Sequence, residues 1–161
     1  MINKTQNIFK VGKKYLYIGD NFKKWFSNME VEKADTKLYS KKLERDMNDK
    51  EILAEFKPTK ITLGEINNHL DSMDKSFFGL FYIKDNAGVL RSVSVCWVGD
   101  GWYVLAHSVE DPLEWNADSQ VFSRNSFETL ASEPLTISSL DPIQDAINTL
   151  KNAGFTITKT Y

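Results

Sequence analysis

Residues 77–109 constrain the fold of this chain more than any other stretch. Phe77-Phe78-Gly79-Leu80-Phe81-Tyr82-Ile83 is followed by a break at Asp85-Asn86-Ala87-Gly88 and then by Val89 to Val98. A second break at Gly99-Asp100-Gly101 leads into Trp102 to Val109. Three strand-length runs rich in β-branched and aromatic residues, separated by short Asn/Asp/Gly turns, predict a three-stranded antiparallel meander. Side chains alternate across a strand with period two. Val89, Arg91, Val93, Val95 and Trp97 therefore share one face, and Leu90, Ser92, Ser94, Cys96 and Val98 the other. Val93, Val95 and Trp97 mark the first face as the one turned to the core.

The segments around the meander are read from the same two periodicities. Phe9 to Ile18, closed by Gly19-Asp20-Asn21, predicts a further strand, and Phe22 to Phe26 fits either a helical turn or more sheet. Residues 36–56 are highly charged and free of Gly and Pro, which predicts one or two surface helices ending before Pro58, with Asp49 as a cap. Thr62-Leu63-Gly64-Glu65 is a capping box, and Leu63, Ile66, Leu70 and Met73 behind it define a helix over 63–73. Val121 to Arg124 is expected as an edge strand, and Leu135 and Ile137 near Pro134 as a short one. Asp141-Pro142 with Gln144 starts a helix over 142–152, ended by Gly154 and followed by an alternating strand over 155–161. The expected fold class is α+β: an antiparallel meander sheet extended by 9–18 and 155–161, with helices packed on one face.

A chain of 161 residues is expected to form one domain, 1–161. The best internal boundary is Pro58-Thr59-Lys60, dividing a basic region 1–58 from a sheet-helix core 61–161. The division shows in the charges. Residues 1–60 hold 14 Lys and Arg against 9 Asp and Glu, while residues 61–161 hold 6 against 13. The net charge of −2 thus hides an electrostatically polar chain. A hydrophobic content of 42% with 26% charged residues excludes a disordered chain. No apolar run approaches the roughly 20 residues that span a bilayer, and no signal-peptide core follows Met1, so no membrane association is expected and cytoplasmic residence is the simplest reading. The single cysteine, Cys96, fits a reducing compartment.

The sequence carries no phosphate loop, dinucleotide fingerprint or nucleophile elbow, and one Cys with two His excludes a Cys/His zinc site. No catalytic residue, metal or cofactor is expected. His107 with Glu110, Asp111 and Glu114, joined by Arg124, is the one constellation that a small hydrolase could use. A strand histidine beside a solvated acidic loop explains the same residues more simply. His69 is expected to be exposed, and Cys96 to be a small inert strand residue. Two binding readings remain. Trp115 amid Glu114, Asp111 and Asp118 has the make-up of a protein-binding hot spot with an acidic rim; a tryptophan tucked under its own loop is the alternative. Lys13, Lys14, Lys23 and Lys24, interleaved with Tyr15, Tyr17 and Trp25, combine cations with aromatic faces, the chemistry of single-stranded nucleic-acid binding. The acidic overall balance disfavours that second reading.

In its size, its richness in Asn, Lys, Asp, Phe and Tyr and its lack of an enzymatic motif, the chain resembles the small accessory proteins of tailed phages. Several of these bind and inhibit host enzymes, including ATP-dependent proteases such as Lon. The resemblance implies a non-enzymatic inhibitor with a protein partner, and it assigns no residue a role.

Overall fold

In the computed structural model of the chain, residues 3–127 are described. The chain divides into two compact units, Met1–Asn125 and Ser126–Tyr161. The helices and strands named below belong to the first unit. The expected strand around Leu135 and Ile137, the helix over 142–152 and the strand over 155–161 lie outside the described residues.

The first unit begins with β1 (Asn3–Lys4), α1 (Thr5–Ile8), β2 (Tyr15–Ile18), α2 (Asp20–Trp25) and β3 (Glu30–Val31). It continues through β4 (Tyr39–Lys42), β5 (Met47–Asn48), α3 (Asp49–Phe56) and α4 (Leu63–His69). The meander follows as β6 (Gly79–Lys84), β7 (Leu90–Val98) and β8 (Gly101–Ser108), and then β9 (Glu114–Trp115) and β10 (Gln120–Ser123). The fold is α+β, as expected. Its main sheet has six strands in the order β2-β8-β7-β6-β10-β4, and two small pairs, β1-β3 and β5-β9, stand apart from it.

The meander has the predicted register. Phe81 lies opposite Val93 and Val93 opposite Ala106, while Trp97 faces Trp102 with the rings edge-on at 5.3 Å. The sheet as a whole is mixed rather than antiparallel, which corrects the expectation, because β2 joins β8 and β10 joins β6 in parallel. Nor is β10 an edge strand. It is enclosed between β6 and the antiparallel β4, which buries Val121 and Phe122. The edge is β4 itself, Tyr39-Ser40-Lys41-Lys42, exposed along its length. Lysines on an edge strand discourage pairing with another chain, and they gave this segment the composition of a solvated helix. Only the second half of the charged segment is helical. Asn48, not Asp49, caps α3: its side chain accepts the Glu51 amide at 2.9 Å while Glu51 reaches back to the Asn48 amide at 3.0 Å.

Helices cover both faces of the sheet, which corrects the one-face expectation. On the first face, Phe81, Val93, Val95, Val104 and Phe122 form one apolar core with Ile66 of α4, Leu70 at its C-terminal cap and Phe22 of α2. The Thr62–Glu65 capping box forms as predicted, with the Glu65 amide 3.2 Å from the Thr62 hydroxyl. Gly64 lets α4 approach the backbone just after β3, since a Cβ there would collide with the Glu32 carbonyl. The second face is covered by α3 and the β5-β9 pair, whose Asp49 and Trp115 meet Tyr82 and Ser92 of the sheet. Residues 58–60 run inside this unit: the Thr59 hydroxyl accepts the Arg124 amide at 2.8 Å, and the Ile61 amide donates to the Tyr82 carbonyl. The basic N-terminal region thus shares its sheet with the meander.

Candidate interaction surface

The structure sends Trp115 inward. It is 8% exposed, and its indole N–H donates to Asp49 Oδ1 at 2.9 Å. The Tyr82 hydroxyl donates to the same oxygen at 2.7 Å, and the Ser92 hydroxyl to Oδ2 at 2.9 Å. Asp49, 1% exposed at the first position of α3, is therefore the centre of a polar core that ties α3 and β9 onto β6 and β7. A buried carboxylate persists only with such partners. Burial, with the neighbouring Asp49 charge, holds the Tyr82 hydroxyl in its protonated form far above the ordinary tyrosine range. A free-standing tryptophan anchor is thus excluded, for a physical reason: its polar atom is satisfied by a residue 66 positions away in the chain. Around it Asp111, Glu114 and Asp118 remain exposed, and Asp118 takes a left-handed turn conformation with φ 79°.

His107 is half-buried, edge-on to Trp115 at 5.0 Å, with Nε2 3.3 Å from the Ser94 hydroxyl. Burial lowers its pKa below the ordinary 6.5, against the opposing charges of Asp49 and Asp111. Ser94 is buried, and among the described residues no carboxylate hydrogen-bonds the imidazole, so the hydrolase constellation is not assembled. Arg124 is held elsewhere, in a bidentate pair with the buried Glu65 at 2.8 Å on both oxygens, and Glu110 pairs with Lys50 at 2.9 Å. Among the described residues no group of three or more His, Cys, Asp or Glu side chains is placed to hold a metal ion, and no helix is long and apolar enough to cross a membrane. His69 is half-buried against the Phe122 ring at 4.5 Å rather than exposed. Burial raises the Cys96 thiol pKa, which suits an unreactive strand residue.

Two residues of the basic aromatic set are already engaged. Lys14 pairs with Asp71 at 2.8 Å and donates to the Asn67 carbonyl. Trp25 lies under the Arg91 guanidinium, 3.7 Å from the ring centre, so the face a base would stack on is occupied. Lys13, Lys23 and Lys24 are exposed.

What sequence reasoning missed is the open half of the second face. Tyr17 of β2 lies beside Tyr103 of β8, with ring centres 5.3 Å apart, and Tyr103 faces Cys96 of β7. Leu16 joins this row at Gly101, whose α-carbon leaves room for it. Tyr17 is 44% exposed, Val98 44% and Leu16 39%, with Tyr103 and Leu105 half-buried between them. Strand β8 carries this row on to His107, and the acidic loop begins just past its end at Ser108. The alternation in Tyr15-Leu16-Tyr17-Ile18 was the available signal, but a bulge between Tyr15 and Tyr17 turns Leu16 and Tyr17 outward together. Comparison of the chain with protein-family models, with curated proteins and with solved structures finds no match.

Proposed function

We propose that this chain is a non-enzymatic interaction protein that docks another protein on the open half of its second sheet face. The observation that carries the reading is the row Leu16, Tyr17 and Val98, exposed around the half-buried Tyr103 on strands whose other face packs into the apolar core. Tyrosines supply large amphipathic contact area, and a rigid sheet presents them without an ordering cost. Exposed Asp111 and Glu114, beyond the end of β8, give this surface an acidic flank. The matching partner has an apolar patch with a basic rim. Inhibition of an ATP-dependent protease such as Lon is the form of binding that the resemblance to phage accessory proteins implies.

The experiment combines a co-precipitation from bacterial lysate with an assay of ATP-dependent proteolysis by purified Lon, each run with the native chain and with Tyr17→Glu/Val98→Glu. Both replaced side chains are well exposed, so the variant is expected to fold. A partner captured by the native chain and lost from the variant supports the reading, and relief of proteolysis in parallel identifies the inhibitor form. Equal capture by both proteins, or salt-sensitive binding of single-stranded DNA that depends on Lys13 and Lys24, overturns it.

A further inference from the structure

The open half of the second face has the dimensions of one helix. Its strands are β2, β8 and the distal end of β7, joined through the register Tyr17, Tyr103, Cys96. Two strand spacings make roughly 10 Å, the width of an α-helix with its side chains. From Gly101 to His107, β8 runs about 20 Å, a length matched by about 13 helical residues. The charges at its border are mostly of one sign. Asp20 follows the end of β2, Asp100 sits in the turn between β7 and β8, and Asp111 and Glu114 follow β8. All are exposed, and among the described residues none of them has an ion pair. Against them stands the exposed Lys13, since Lys14 is paired with Asp71, Lys50 is paired with Glu110, and Lys75 lies over the Trp97 ring on the other face. A second copy of this chain would set carboxylates against carboxylates, so the charges select a basic partner.

We infer that the partner meets this surface with a basic amphipathic helix of about four turns laid along β8, an inference that rests on the docking reading above. The apolar stripe of that helix covers Leu16, Tyr17, Tyr103 and Val98. Lysines or arginines on its flanks reach Asp20 and Asp111 at one end and Asp100 at the other. The stripe supplies affinity through the surface it removes from water. The exposed carboxylates supply encounter rate and reject acidic helices. Addition of an extended strand beside β2 is disfavoured, because the chain itself already meets that edge: the Tyr15 carbonyl accepts the Gly12 amide at 2.9 Å.

The test titrates the full chain into a labelled synthetic peptide of about 14 residues, with leucines at i, i+3, i+4 and i+7 spacing and lysines elsewhere. Its controls are the same peptide with glutamate for lysine and a scrambled order of the same composition. Fluorescence anisotropy reads affinity at low and physiological salt, and circular dichroism reads helix gained on binding. The lysine peptide is expected to bind one per chain, to gain helix, and to bind at least about tenfold more tightly than either control. Tyr17→Ser/Val98→Ser should weaken it about tenfold at both salts, and Asp100→Asn/Asp111→Asn about threefold at low salt only. The inference is overturned if a control peptide binds equally, if Tyr17→Ser/Val98→Ser changes nothing, if the bound peptide gains no helix, or if the chain dimerises through this face. A partner captured by the native chain and lost from Tyr17→Glu/Val98→Glu, with no peptide bound, overturns the helix and leaves the docking reading standing. Equal capture by both proteins overturns the docking reading and this inference with it.

Discussion

The two faces of the central sheet solve the same burial problem with different chemistry. On the first, Phe81 stacks on Phe122 with ring centres 4.9 Å apart, and Val93, Val95 and Val104 complete an apolar cluster. On the second, the same strands turn Tyr82, Ser92 and Ser94 inward, and a carboxylate from α3 collects hydrogen bonds from Tyr82 and Ser92. The first face is held by area removed from water, which tolerates small shifts. The second is held by three donors converging on one side chain, which does not tolerate the loss of that side chain. Apolar packing secures the helices of the first face one contact at a time. A single acceptor secures α3 and β9 together.

The largest expected effects test this contrast directly. Phe81→Ala on the first face should cost about 3–5 kcal/mol, the usual range for a buried phenylalanine. Asp49→Ala on the second face removes far less volume, yet it takes the acceptor from the Tyr82 hydroxyl and the Trp115 indole, while Ser92 keeps the His107 carbonyl at 3.4 Å, and it should cost about 3–5 kcal/mol. Asp49→Asn keeps an oxygen for Tyr82 and Trp115, so its cost should be only about 1–2 kcal/mol. Chemical denaturation of the three variants measures all of these. A loss under about 1 kcal/mol for Asp49→Ala would show that the second face is a loosely laid cover.

Acidification should act on both faces, and the sign follows from the shifts. His69 and His107 both have folded pKa values below the ordinary 6.5. The unfolded chain therefore binds more protons than the folded one as pH falls through about 6.5, and stability is lost from there downward. Glu65 and Asp85 act at lower pH. Burial alone would raise the Glu65 carboxyl, but the Arg124 hydrogen bonds and the Thr62 backbone hydrogen bond outweigh it and hold its pKa below the ordinary 4.5. Burial would likewise raise Asp85, and the Val89 and Ala87 amides with Arg91 bring it below 3.8. Their contributions are present above the unfolded carboxylate values and vanish as pH drops through the folded ones. Melting temperature should thus fall in two stages, one beginning near pH 6.5 and one below about pH 4.5. A rise in stability between pH 7 and 5 would contradict the histidine assignments.

How much of this was legible in the sequence follows the range of the interactions. The meander, its register and the Thr62–Glu65 box were readable, because each is set by residues a few positions apart. Parallel pairing of β10 with β6 was not, since nothing in Val121-Phe122 records the direction of a neighbour. Trp115 was misread because its own surroundings, Glu114 to Asp118, are all solvated, while its partner Asp49 lies in a stretch that reads as a surface helix. Asp49 follows a good cap, Asn48, and precedes Glu51, which hides a core carboxylate among ordinary first-turn acids. The open Tyr17–Tyr103 row was lost for a related reason, because it exists only once β2 lies beside β8 with a bulge. Long-range polar contacts and bulges leave no periodic trace, and the candidate surface depends on both.

The smallest expected effect separates the two faces through their histidines. His69 sits on the first face against Phe122 and Phe81, and burial alone lowers its pKa. His107 sits on the second face against Trp115, where burial also lowers it but Asp49 and Asp111 pull the other way. Asp111 is exposed, so its attraction passes largely through water and should be a modest, salt-dependent contribution. Asp111→Asn should lower the His107 pKa further at low salt, leave His69 where it is, and cost almost nothing in stability. Raising the salt should shrink the difference between native and variant His107, because the interaction removed is a screened one. Proton NMR titration of the two imidazoles follows both residues in one sample. Equal movement of His69 and His107 would mean that the loop substitution acts on the whole fold, and the separation between a dry face and a charged one would fail at its most exposed point.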